Sequence, residues 1–117
     1  MTQSQAKDNI TLAPGVIDTI ISIAVSETEG VSALGDPVMS GFFTKLANKP
    51  STSGIESRRD EEGKLEITLH LTVEYGYVLP ELAANIRQAV ADALLMQVGV
   101  EVSFVDIYID GISFGQN

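Results

Sequence analysis

Lys64-Leu65-Glu66-Ile67-Thr68-Leu69-His70-Leu71-Thr72-Val73-Glu74-Tyr75 alternates polar and apolar side chains over twelve residues without a break. A period of two belongs to an extended strand whose successive side chains point to opposite sides, so this segment predicts a long strand with one buried and one wet face. A strand covered by helices on both sides would be apolar throughout. The alternation therefore predicts a two-layer architecture with helices on one face only.

The flanking segments extend this reading. Upstream, Ile55 to Arg58 reads as a strand and Asp60 to Gly63 as a charged hairpin turn. Downstream, Gly76 breaks the strand and Pro80 opens a helix, with Leu82, Ala83, Ile86, Ala89, Val90, Ala93 and Leu94 as its inner stripe up to Gly99. The alanines of that helix let it sit close to a sheet. A last strand from about Val100 to Ile112 changes apolar phase: Val100, Val102 and Phe104 share one parity, Val105, Ile107 and Ile109 the other. A bulge or bend near Phe104 is expected to realign it.

Nearer the start, Pro14 suits a first helical position, and Ile17, Ile20, Ile21, Ala24 and Val25 follow at helical spacing. Asp18 suits the helix dipole. Gly30 is expected as the left-handed cap of a helix over 14–29. Val31 to Leu34 reads as an apolar connector and Gly35-Asp36-Pro37 as a turn. Residues 38–46 read as a short helix carrying Val38, Met39, Phe42, Phe43 and Leu46, and 48–54 as turn-rich. The sum is a polar, mobile N-terminal arm over residues 1–8 and a single α+β domain over 9–117. That domain is a two-layer sandwich with two main amphipathic helices on one face of a small three- to four-stranded sheet.

Composition narrows the partners. The 117 residues are 44% hydrophobic, carry 16 Asp and Glu against 7 Lys and Arg for a net charge of −9, and include no Cys or Trp. A domain of this length buries roughly two-thirds of its unfolded surface, so one core can hold it without disulfides or metal. Without Cys there is no thiol catalysis, zinc–thiolate site or redox switch. Scattered, outnumbered bases argue against nucleic acid, which is held chiefly by Lys and Arg on phosphates. Arg58 and Arg59 are adjacent, but Asp60, Glu61 and Glu62 follow at once. No run approaches the roughly 18–20 apolar residues of a membrane span, and Met1 to Ile10 lacks the apolar stretch of a signal peptide. The expectation is a cytoplasmic protein that does not insert into the membrane.

The pattern carries no chemistry-bearing motif. His70 is the single histidine and stands on the wet face of the long strand between Thr68 and Thr72, where it reads as a solvated cross-strand residue. A general base would need a converging nucleophile or carboxylate. The Asp60-Glu61-Glu62 run lacks the ordered ligands and turn glycine of a calcium loop. Phosphate-binding glycine motifs, a Gly-x-x-Gly clamp and a G-x-S-x-G elbow are all missing. No catalytic, cofactor-binding or metal residue is expected. Two groups remain as candidate interaction surface: Met39, Phe42 and Phe43, which either cap the core under a loop or form an exposed apolar patch, and the wet-face trio Thr68, His70 and Thr72.

Val73-Glu74-Tyr75-Gly76, Pro80-Glu81-Leu82-Ala83 and Ile86-Arg87-Gln88-Ala89-Val90 together resemble the middle of the alkaline shock proteins, the Gls-type envelope stress response family of Gram-positive bacteria. Gly30-Val31 is similar to the family's glycine–valine step, and Val105 to Ile112 resembles its closing strand, so the likeness spans about residues 9–112. Residues 36–53 depart from the family pattern, as does Ser57, where an apolar residue is usual. The resemblance implies a small cytoplasmic, non-enzymatic protein acting through protein–protein contacts, and the composition makes it an acidic one. Self-association and recruitment to the membrane by a separate anchored protein belong to the same implication. The alternative it leaves is a regulatory module docking on a metabolic enzyme complex, for example in fatty acid synthesis. An anionic bilayer would repel a chain of this charge, so membrane contact is expected to be indirect.

Overall fold

The structure is a computed structural model and describes residues 10–13, 15–35 and 53–114. The expected arm over 1–8, Pro14 as first helical residue, and the segment carrying Met39, Phe42 and Phe43 all lie outside the described residues. Helix α1 spans Val16–Ser26 and helix α2 Leu79–Val98; strands β1 to β4 span Val31–Leu34, Ile55–Arg59, Leu65–Glu74 and Val102–Ser113. The fold is α+β, as the alternation requires.

Strand β3 is central. Its Leu65, Ile67, Leu69, Leu71 and Val73 are buried beneath the helices. From α2, Leu82, Ile86, Val90 and Leu94 join the same core, and α1 contributes Ile21, Ala24 and Val25. Each fully buried aliphatic side chain contributes about 1.5–3 kcal/mol relative to exposure, so this row of β3 and the facing stripe of α2 hold the layers together. Ala89 and Ala93, expected against the sheet, are only partly buried and line the groove between the two helices with Ile20 and Ala24.

The sheet is mixed. β1 and β2 both pair antiparallel with one edge of β3, β1 along Leu71–Val73 and β2 along Leu65–Leu69, while β4 pairs parallel with the other edge. The segment 31–34, expected as a connector, is thus the first strand. β1 and β2 lie end to end, and the junction is the His70 backbone: its carbonyl accepts from the Gly35 amide (2.7 Å) and its amide donates to the Gly54 carbonyl (2.9 Å). The edge strand stops before Gly35 and resumes after Gly54. A Cβ on Gly54 would stand 2.5 Å from the Gly35 nitrogen and 2.8 Å from the His70 carbonyl oxygen, and its φ is +86°. Only glycine fits there without displacing backbone.

The end of α1 differs from expectation. α1 stops at Ser26, with the Glu27 amide on the Ile23 carbonyl and the Thr28 hydroxyl on the Ala24 carbonyl. Gly30 is therefore not its cap. It sits in the following turn at φ +104°, where a Cβ would meet the Tyr77 ring at 2.9 Å and Leu82 at 3.1 Å. α2 ends as expected on Gly99 in the left-handed region. Ser57, the polar residue in place of an apolar one, donates to the Asp18 carboxylate in the first turn of α1 (2.8 Å). Polar contact there replaces the missing burial.

The phase change in β4 is a bulge, one residue earlier than its apolar pattern suggests. Leu65 pairs with Val102 and Glu66 with Phe104, leaving Ser103 extra, so Phe104 turns to the open face and is 44% exposed. A second bulge at Asp110, between Ile109 and Gly111, returns Ile112 to the helix side. Tyr75, expected in the buried phase, lies beyond the strand end and is exposed.

The β2–β3 turn is clasped by Asp60. Its carboxylate accepts from the Glu62 and Lys64 amides (2.8 and 2.9 Å) and from the hydroxyl of the bulged Ser103 (3.0 Å), tying the hairpin tip to the start of β4. Partial burial raises the Asp60 pKa, but the amides of Lys64 and Glu62, the Ser103 hydroxyl and the Lys64 charge outweigh it and hold the carboxyl below its usual range.

Gly54→Ala is expected to lower unfolding stability by about 2–5 kcal/mol in urea titrations, combining left-handed strain with overpacking. Gly63→Ala, where an added Cβ meets nothing within 4 Å, should cost only the backbone part, about 1–2 kcal/mol. A depressed carboxylate pKa stabilises the fold above the unfolded pKa and loses that contribution as pH falls through the folded value. Asp60→Ala should therefore melt at a lower temperature than the parent chain at neutral pH. That gap should close as pH drops below the ordinary carboxylate range, as read by thermal denaturation followed by circular dichroism.

Candidate interaction surface

The even-numbered residues of β3 face away from the helices, and no described element covers them. Around them the open face is a mixed field. Arg58 on β2 donates to Glu66 on β3 (2.9 Å), and Thr68 stands beside a shallow depression bounded by Glu56, Phe104 and Asp106. The Arg58–Glu66 pair has its guanidinium 80% exposed, so it contributes little to stability.

His70 is the centre of this face. Parallel register sets it opposite Tyr108, and the two rings stack with centroids 4.9 Å apart at 13°. Its Nδ1 lies 3.0 Å from an Asp110 carboxylate oxygen. The bulge leaves Asp110 without a residue opposite it on β3. This aromatic–imidazole–carboxylate cluster joins residues 38 and 40 positions apart. The His70 and Asp110 side chains remain 37% and 52% exposed, so the group is open surface rather than an enclosed site.

The structure sorts the expected residues. Thr68 and His70 lie on the open face and are partly exposed. Thr72 faces the same way but is only 7% exposed, between Ala33 on β1 and Gly111 on β4, so it does not form accessible surface. Phe104, Tyr108 and Asp110 were not among the expected residues. The signal for them lay in the phase change itself: carrying the shifted parity of Val105, Ile107 and Ile109 forward puts Asp106 and Tyr108 on the wet side. Further apolar surface lies at the end of the sheet, where Tyr75 and Phe114 stack obliquely at 5.1 Å and are 73% and 78% exposed. Among the described residues, no three His, Asp or Glu side chains converge to hold a metal ion. No helix among them is long and apolar enough to cross a membrane.

Residues 2–114 match the model of the alkaline shock protein 23 family, described as having a cell envelope-related function. The chain belongs to this family. It is 28% identical over 103 residues to the uncharacterized protein Spy1535 of Streptococcus pyogenes serotype M6, covering 88% of this chain and 78% of the relative. To the uncharacterized protein YqhY of Bacillus subtilis it is 26% identical over 105 residues, covering 90% and 77%. No solved structure matches the chain. Within the family frame, Gly30, kept free of a side chain by the Tyr77 ring, and the β4 residues around His70 explain physically two of the segments that carry the resemblance.

A double-mutant cycle of His70→Ala and Asp110→Ala should return a coupling of about 0.2–1 kcal/mol, the range of exposed polar side-chain pairs. A larger coupling measured by chemical denaturation would mean that the pair is shielded from solvent.

Proposed function

We propose that this chain acts as a non-enzymatic structural and interaction protein of the cell-envelope stress response, associating with itself and held near the membrane by a separate anchored protein. The observation that supports it most is the uncovered side of the sheet. Tyr108 and Phe104 project from β4 beside partly exposed Thr68 and His70, an aromatic surface with polar surroundings of the kind that serves protein contacts. Family membership supplies the envelope connection. The net charge of −9 supports indirect contact with the membrane, since an anionic leaflet repels it.

A fluorescent fusion expressed in the native host should collect at the cell periphery and disperse when the genes for candidate membrane-anchored partners are deleted. Peripheral signal that survives every such deletion contradicts the tether. Stable co-purification with a metabolic enzyme complex, without peripheral signal, would favour a regulatory docking role instead.

A further inference from the structure

The two sheet edges differ. The β1/β2 edge is interrupted at Gly35 and Gly54, and β2 carries Glu56, Arg58 and Arg59, charges that blunt an edge. The β4 edge is continuous. Between the bulges at Ser103 and Asp110 it offers a regular span, Phe104 to Ile109, with no Lys or Pro and one charge, Asp106.

Backbone direction along that span follows from the ladder. The Leu65 and Tyr75 amides donate to the Glu101 and Ser113 carbonyls, so odd residues of β3 address β4, while His70 and Glu74 address β1 and β2. In a parallel pair a bonded residue reaches the neighbours of the residue opposite it. Ile67, Leu69 and Leu71 stand opposite Val105, Ile107 and Ile109, which therefore turn their own N–H and C=O groups outward. Arg87 on α2 confirms the direction by donating to the Val105 carbonyl (3.1 Å), and it covers the edge there, leaving Val105 5% exposed, so Arg87 must turn aside before a second strand can bond that residue. No described residue takes the outward groups of Ile107 and Ile109.

We infer that two copies of this chain join along β4, strand antiparallel to strand, about a twofold axis at Ile107. This inference rests on the self-association proposed above and assigns it a surface. Ile107 is the centre that keeps three bonded pairs within the regular span, Ile107 with itself and Val105 with Ile109 of the second copy on either side; a centre at Asp106 or Tyr108 keeps only two and sets carboxylates opposite, Asp106 on itself or Asp106 on Asp110. A centre at Val105 brings in the Ser103 bulge, and one at Ile109 the Asp110 bulge. On the helix side the pairing joins apolar residues throughout. On the open side Asp106 meets Tyr108 of the second copy, and no two carboxylates stand opposite. Arg87 places its own flank of α2 over this edge, and the small Ala84 and Ala91 on that flank leave room for the second copy's helix, with exposed Leu95 beside them. The span complements itself under the axis, which is why a second copy is its occupant.

Because the chain has no Cys, single-cysteine variants report the register directly. Asp106 and Tyr108 of the second copy form a close pair with Cα atoms about 4.5 Å apart, within disulfide reach, whereas like positions lie about 8 Å apart, beyond it. A mixture of Asp106→Cys and Tyr108→Cys proteins should yield a disulfide-linked dimer on mild oxidation, and neither variant alone should. Sedimentation of the parent chain should show a dimer that strengthens with salt, since added ions screen two copies each carrying −9. A dimer without the mixed cross-link, or equal cross-linking by either variant alone, overturns this interface while leaving self-association standing. A parent chain that remains monomeric at high concentration in high salt overturns both.

Discussion

The structure depends on β3 being paired along both edges while only one of its faces is buried. With β1 and β2 on one side and β4 on the other, every other backbone group is committed to each edge. That commitment makes the odd side chains, Leu65 to Val73, a continuous apolar row against which α1 and α2 pack. A slip of one residue would exchange the two faces, bringing Glu66, His70 and Glu74 under the helices, so the register is fixed by burial. The open face is then the unavoidable reverse of the core, set by the same alternation that builds the fold.

Two irregularities reconcile this frame with the rest of the chain. β4 must match β3 while carrying apolar residues out of phase, and the bulges at Ser103 and Asp110 absorb the mismatch. Each extra residue also supplies a side chain that ties elements together, Ser103 to Asp60 and Asp110 to His70. Gly35 and Gly54 meet at one residue of β3, so between β1 and β2 the edge loses no pairing at His70. The same residue that joins the two glycines carries the imidazole at the centre of the open face.

What could be read in advance follows the range of the interactions. The long strand, both helices and the charged hairpin are local patterns of period two, period 3.6 or turn chemistry, and they were legible from a dozen residues each. The helix over 14–29 ends earlier than expected because a glycine is as useful under the Tyr77 ring as in a cap, and spacing alone does not separate these uses. Strand β1 was missed because four residues are too few to show alternation, and its pairing with Leu71–Val73 is set by distant chain. The site was legible only in part for the same reason. His70 and Thr68 could be placed on the wet face by parity, but Tyr108 and Asp110 reach His70 only through parallel register and a bulge, which no local pattern announces.

Charge decides what kind of contact this surface can make. Among the described residues the basic side chains are Arg58, Arg59, Lys64 and Arg87, and each already has an intramolecular partner: Glu66, the Gly63 carbonyl, Glu62 with Glu101, and the Val105 carbonyl respectively. The exposed pairs among them are weak, yet they leave no described cluster of bases poised for an anionic lipid or a phosphate backbone. An acidic domain of this kind gains little from long-range attraction to another acidic body, and two copies repel until salt screens them. A contact between copies would then have to come from groups that carry no charge. Main-chain N–H and C=O groups along a regular edge, flanked by isoleucines, valine and tyrosine, are neutral, directional and satisfied only in register. In the proposed dimer they would let an acidic chain recognise another copy of itself without the electrostatic steering its composition denies it.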